Sequence, residues 1–209
     1  MIYLLGGPPR VGKSIISKAI PKKHGISVVS TDALGAILEN VLKPEAEPGL
    51  FVFTRFNERP AADRIKLMDG NTPELVNYLI EEGRAVWKAV EPFILKEDQE
   101  GRDVLIEGVA VLPELVRQIK DIDYRAVFIG NQGSKHKENI KNSAKENEHD
   151  WLRNSSDEYT DALAAFVVRM SGYIENEAHK YGFEYVEMAK RPFQDVAGII
   201  VESLGLKAG

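Results

Sequence analysis

The chain has 209 residues, a formal net charge of -5 and no cysteine. That length supports one well-buried core with room for a subdomain, and the acidic balance gives no general attraction for nucleic acid or an anionic membrane. The lack of cysteine excludes a disulfide framework, a thiolate metal site and a cysteine nucleophile.

The first apolar run, Ile2 to Leu5, is too short for a signal peptide or a membrane span, and Gly6, Gly7, Pro8 and Pro9 interrupt it. The cytoplasm is the compartment expected on that reading. "IYLL" and "ISVVS" (Ile26 to Ser30) read as strands, and "KSIISKAI" between them has helical spacing and is expected to stop before Pro21. The three form a βαβ unit, the connection a parallel pair requires. Next comes Lys43 to Asn71, which fits neither period and holds Phe51, Phe53, Phe56, Arg55, Arg59 and Arg64. The three phenylalanines read as core or subdomain packing.

Thr72, Pro73 and Glu74 signal a helix start, and Leu75, Val76, Leu79, Ile80, Val86, Trp87 and Val90 form its apolar face, with Pro92 expected to bend or end it. Strands follow at Asp103 to Gly108, Tyr124 to Gly130 and Phe183 to Met188. A short helix opens at Pro113, and a long one follows a capping box of Ser155 and Glu158, closed by Gly182. A last helix carries Val196, Ile199, Ile200 and Leu204. Asn131 to Asn154 is a second irregular, charged segment. The alternation predicts α/β architecture, one domain over 1–209 with about five parallel strands and helices on both faces.

Between the first strand and the first helix stands "GGPPRVGKS". Gly7, four residues, then Gly12, Lys13 and Ser14 match G-x-x-x-x-G-K-[ST], with a strand before and a helix after. Amides in this turn, Lys13 and the helix dipole hold phosphate oxygens, and the Ser14 hydroxyl coordinates magnesium. The expected nucleotide contacts are therefore Gly7, Arg10, Val11, Gly12, Lys13, Ser14 and Ile15. The prolines lie in the first half of the loop, whereas the donors come from Arg10 onward, so they stiffen it without removing phosphate contacts.

Taken together, "GGPPRVGKS", "STDALGAIL" and "VLIEGVAVLP" resemble the P-loop kinases of small molecules, the adenylate-kinase-like group, and are most similar to its 2-phosphoglycerate kinase-like and zeta-toxin-like branches. The resemblance implies a three-layer P-loop NTPase fold, ATP and Mg2+, and transfer of the γ-phosphoryl group to a hydroxyl or phosphate of a small molecule. It gives Asp32 the acceptor hydroxyl and its proton, and puts Glu107 near the magnesium alongside Ser14. It implies an acceptor-side insertion at about 43–71, where Arg55 and Arg59 would bind a carboxylate or phosphate, and a lid at about 131–156. The lid supplies Lys135, Lys137, Lys141, Lys145 and Arg153, with Arg153 the leading catalytic candidate and Arg169 on the long helix the second. Arg191, in "AKRPF" after the fifth strand, is the expected base contact.

Other readings stand beside these. Asp32 can cap the helix begun by "ALGAIL", Glu107 can pair with a lysine, the lid lysines can be a solvated helix face, and Arg55 and Arg59 can be surface residues. A nucleotide-dependent switch that binds a partner protein is the competing function. A GTPase lacks N-K-x-D, and a motor ATPase calls for consecutive acids where "LIEG" has one. His24, His136, His149 and His179 show no pair with zinc-ligand spacing. The acceptor and the oligomeric state are not fixed by the sequence.

Overall fold

A computed structural model describes residues 1–70, 73–146, 148 and 150–206, leaving aside the side chains at 19 and 21–23. Position 71 of the expected insertion, position 72 of the expected helix start and positions 147 and 149 of the expected lid lie outside the described residues. Strands β1 (Ile2–Gly6), β2 (Ser27–Ser30), β3 (Val104–Gly108), β4 (Tyr124–Gly130) and β5 (Glu184–Glu187) form one parallel sheet in the order β2-β3-β1-β4-β5. Every residue of β1 and β3 is buried, the continuous apolar run expected of strands covered on both faces. Each such aliphatic side chain contributes about 1.5–3 kcal/mol of burial.

The helices are α1 (Lys13–His24), α2 (Thr31–Val41), α3 (Val52–Glu58), α4 (Ala61–Asp69), α5 (Glu74–Gln99), α6 (Pro113–Val116), α7 (His136–Glu146), α8 (Asp157–Tyr181) and α9 (Phe193–Ser203). Helix α1 packs on β2 and β3, α9 on β4 and β5, α5 on β1, and α8 on β4, β5 and α5. Right-handed crossovers send α1 to one face and α5 and α8 to the other, because β1 connects toward one edge of the sheet while β2 and β4 connect toward the opposite edge. Among the described residues no helix is long and apolar enough to cross a membrane.

Four expectations shift. Helix α1 runs through Pro21 to His24, since one missing backbone bond is outweighed by the turn that buries Ile20. Helix α5 likewise continues past the exposed Pro92 to Gln99, anchored on both sides by the buried Val90 and Ile94. The cap of α8 is Ser156, whose hydroxyl accepts from the Tyr159 N–H at 3.1 Å, one residue later than the Ser155 box. Finally, 43–71 contains a 3-10 turn at Pro48–Phe51 followed by α3 and α4, and much of 131–154 is α7. Gly182 closes α8 in the left-handed region, φ 76°, as expected.

Candidate active site

The sheet register gathers the three sequence motifs into one place. Glu107 sits level with Ser30 on one side and Leu5 on the other, and Gly108 is level with Gly6. The phosphate turn, the β3 acid and the start of α2 therefore emerge side by side at the carboxyl ends of adjacent strands, where open α/β sheets bind ligands. Gly108 makes that approach possible: its φ is +151°, and a Cβ there would lie 1.8 Å from Thr31 Oγ1. Ser30 caps α2, its Oγ accepting from the Asp32 N–H at 3.2 Å, so Asp32 is not the cap and its carboxylate is exposed at the opening of the site.

In the turn, Lys13 is buried and donates from Nζ to the carbonyls of Gly7 (3.0 Å) and Pro8 (2.7 Å). Burial pulls the Lys13 ammonium down to about 8, against the opposing pull of Glu107 and Asp32. Pro8 thus contributes through its carbonyl, in keeping with its lack of an N–H. Ser14 Oγ donates to Glu107 Oε1 at 3.1 Å, and burial raises the Glu107 carboxyl above its ordinary value, with Lys13 and Ser14 opposing. A hydroxyl beside a buried carboxylate is an all-oxygen donor set of the kind magnesium takes, so Ser14 and Glu107 fit that ion.

Two cavities open from this row. The first, about 910 Å³, is bounded by the phosphate turn, the start of α7 and residues 188–193. Its lining holds the cations Arg10, Lys13, Lys18, Lys135 and Arg191 and one carboxylate, Asp150. Val11, Gly12, Ser14 and Ile15 line it as well, though the Ile15 amide already donates to the Gly12 carbonyl at 3.1 Å. Arg10 adopts φ 65° and its Nη1 reaches Asp150 Oδ2 at 2.8 Å.

Sequence reasoning missed two residues here. Phe193 faces Gly12, where a Cβ would lie 2.8 Å from the ring. His136 is buried against the same cavity with neither ring nitrogen hydrogen-bonded, and burial together with Arg10 lowers it to about 4. Only the Pro192-Phe193 helix start was a signal for the first, and nothing in the local sequence marked the second.

The second cavity, about 430 Å³, lies on the other side of Asp32 between α2, α3, α5 and α8. Phe53, Phe56, Met68, Leu79 and Phe166 form much of its wall, and Trp151 and Tyr159 stand edge to face there with ring centroids 6.3 Å apart. The Asp32 carboxylate is joined in this lining by Glu39 and Glu82.

Several expected residues are brought elsewhere. Arg55 donates to the Pro48 carbonyl at 3.1 Å, and Arg59 meets Tyr78 Oη at 2.8 Å and Glu74 at 3.4 Å. Neither lines either of these two cavities. Arg153 is exposed and lines neither cavity, while its neighbour Trp151 lines the second. Arg169 binds the Met68 carbonyl, tying α8 to α4. Of the lid lysines, Lys135 lines the first cavity, and Lys137 and Lys141 pair with Asp161 (2.5 Å) and Asp157 (2.7 Å) on α8.

This sheet order, with a phosphate turn after β1, is the three-layer α/β P-loop fold. Among solved structures it is similar to a sugar kinase from Janibacter sp. HTCC2649, with TM-score 0.55, 11% identity, and coverage of 98% of this chain and 94% of that one. A putative kinase from Chloroflexus aurantiacus j-10-fl gives TM-score 0.50 at 11% identity, covering 98% and 95%. No family model matches.

The curated relatives are more particular. The chain is 26% identical over 194 residues to a 2-phosphoglycerate kinase from Methanothermobacter thermautotrophicus, covering 90% of this chain and 60% of that protein. It is 28% identical over 130 residues to a 2-phosphoglycerate kinase from Methanopyrus kandleri, covering 62% and 38%. The chain thus spans less than two thirds of the length of these relatives.

Proposed function

We propose that the protein is a P-loop phosphotransferase that moves the γ-phosphoryl group of ATP to a small-molecule acceptor at Asp32. The observation that carries this is the row of Lys13, Ser14, Glu107 and Asp32 at the ends of three adjacent strands, with a cationic cavity on one side and a separate cavity on the other. In-line transfer needs a donor, an acceptor and positive charge between them, and little covalent work from the protein. The turn's amides and Lys13 hold the outer phosphates, Lys13 exchanging its carbonyl partners for phosphate oxygens. Ser14 and Glu107 would hold magnesium, which would supply positive charge against the transferred phosphoryl group. Asp32 orients the acceptor hydroxyl and takes its proton. Arg10, Lys135 and Arg191 add positive charge around the triphosphate, and Phe193 and Arg191 border the base.

The relatives' names support a kinase acting on a small metabolite and bring 2-phosphoglycerate into the acceptor panel. The test is ATP consumption with and without phosphoglycerates, sugars, nucleoside monophosphates and hydroxy compounds. Stimulation by one class, abolished in Lys13→Ala, is the expected result. Nucleotide consumption unaffected by Lys13→Ala overturns the assignment.

A further inference from the structure

The two cavities carry opposite charge. Five cations line the first against one carboxylate, whereas three carboxylates and no lysine or arginine line the second. Asp32 and Glu39 stand seven residues apart, with Gly35 and Ala36 three and four residues after Asp32, so both acids project from one face of α2, and Glu82 stands across from them on α5. The two helices are close: a Cβ on Gly35 would come within 3.3 Å of Val86 Cγ2. Among the described residues no lysine, arginine or histidine makes an ion pair with Asp32, Glu39 or Glu82. Arg84, two residues from Glu82, pairs instead with Glu114 at 2.8 Å, Arg55 donates to the Pro48 carbonyl, Arg59 meets Tyr78 and Glu74, and the Arg64 guanidinium lies 5.7 Å from the centre of the Tyr159 ring.

We infer that the acceptor is a cationic amino alcohol with an apolar body, seated in the second cavity with its hydroxyl at Asp32 and its ammonium group between Glu39 and Glu82. The inference deepens the phosphotransferase reading and rests on it. Apart from Thr31, Asn57 and Tyr159 the remaining wall is mainly apolar, with Phe56, Met68, Leu79 and Phe166 all buried, and a cavity of about 430 Å³ has the size of a single small-molecule site. A phosphorylated or carboxylated acceptor would meet the carboxylates of Asp32 and Glu39, and no lysine or arginine of the lining, a juxtaposition that disfavours its entry. Burial, together with the charges of Glu39 and Asp32, holds the Glu82 carboxyl up at about 8, the direction expected of an acid that favours a neighbouring positive charge. Along α2, Asp32 and Glu39 are about 10 Å apart by helical rise, which calls for polar groups at opposite ends of the acceptor. In the transfer, the acceptor oxygen forms the new bond to the γ-phosphorus as the bond to ADP breaks, and the hydroxyl proton passes to Asp32 and on to solvent.

The test is calorimetric titration of three probes of like shape, with and without a magnesium complex of a non-hydrolysable ATP analogue. These are 4-(aminomethyl)benzyl alcohol, 4-ethylbenzyl alcohol and 4-(hydroxymethyl)phenylacetate. The amine is expected to bind about tenfold more tightly than the neutral alcohol, as a charge-assisted contact would give, with the carboxylate weakest. Glu82→Gln and Glu39→Gln should each reduce that advantage, and the amine should stimulate ATP consumption. Equal affinities, tighter binding of the carboxylate, no binding of the amine or no stimulation by it overturns the inference. Binding of the ATP analogue alone, and its loss in Lys13→Ala, reads the phosphotransferase assignment separately. If it persists while the amine preference is absent, only the acceptor class falls.

Discussion

Arg10 and Asp150, 140 positions apart in the chain, meet at 2.8 Å between Nη1 and Oδ2. The pair joins the phosphate turn to the segment between α7 and α8, and both side chains are largely buried, 17% and 5% exposed. Burial alone would raise the Asp150 carboxyl, but the Leu152 N–H and Arg10 outweigh it and hold it below its ordinary value. Removing one partner of such a pair strands the other charge. Asp150→Ala should therefore cost about 3 kcal/mol of stability in urea titration and speed proteolysis within 131–156. A variant as stable and as resistant as the parent would show the contact to be incidental.

His136 predicts how the same segment responds to acid. Its folded value is about 4 and its ordinary value 6.5, so between those limits the unfolded chain binds the proton and the native state does not. The stabilisation is complete above pH 6.5 and is lost as pH falls toward 4, by up to about 3 kcal/mol. Melting curves from pH 7.5 to 4 should show His136→Phe losing less stability than the parent over that window. Parallel pH profiles would remove His136 from the acid response.

Gly108 lets Thr31 lie against the end of β3, and that approach sets where Asp32 stands relative to Glu107. Gly108→Ala puts a methyl group 1.8 Å from Thr31 Oγ1 at a φ that alanine rarely adopts, so the β2-α2 junction has to move. The expected outcome is a variant that keeps ATP affinity and loses acceptor-dependent turnover by at least about tenfold, since small displacements of reacting groups are costly. Unchanged turnover would mean that this junction does not position the acceptor.

The phosphate turn was fully legible because its chemistry is local: Gly7, Gly12, Lys13 and Ser14 carry the pattern within eight consecutive residues. The five strands were legible too: β1 and β3 as buried apolar stretches, and β2, β4 and β5 through short runs of β-branched and aromatic residues set between helical patterns. Helices α3 and α4 were not, since 7 and 9 residues give at most two and a half turns in which to display a period, and their apolar residues face a cavity as well as the core. The expected roles of Arg55 and Arg153 came from their place in the two irregular segments, and no motif fixes where such a cation points: Arg55 lies on α3 and donates to the nearby Pro48 carbonyl, and Arg153 is exposed. Phe53 and Phe56 were read as packing, yet they also wall the second cavity. Nothing in the sequence joined Glu82 to Asp32, because the two lie on different helices brought together only by the packing of α2 on α5.

Asp32 and Glu107 should separate kinetically. Asp32→Asn keeps the cap, which is provided by Ser30, and removes only the proton acceptor, so ATP affinity should hold while transfer falls 10²- to 10⁴-fold, the range for loss of a general base. Glu107→Gln leaves Ser14 without its carboxylate partner and should weaken magnesium-ATP binding as well as turnover. Titration of each variant with magnesium at fixed ATP distinguishes them. If Asp32→Asn requires more magnesium and Glu107→Gln does not, the two roles are reversed.

Glu82 makes the second cavity a stability cost that depends on pH. Its carboxyl is held up at about 8, chiefly by burial, against an ordinary value of 4.5. Between those values the native state keeps a proton that the unfolded chain has released. The sign is therefore opposite to that of His136: stability is fullest below pH 4.5 and declines as pH rises toward 8, where the native carboxyl ionises beside Glu39 and Asp32. Glu82→Gln has nothing to ionise, so at pH 8.5 it should melt higher than the parent by roughly 3 °C or more, with the difference shrinking at pH 5. An acid that lowers stability at neutral pH is retained at little cost if a bound cation takes the proton's place. Accordingly, 4-(aminomethyl)benzyl alcohol should raise the parent's melting temperature more at pH 8 than at pH 6, and should do so far less in Glu82→Gln. A melting temperature of Glu82→Gln that tracks the parent's across the whole range would mean that Glu82 is solvated and ordinary.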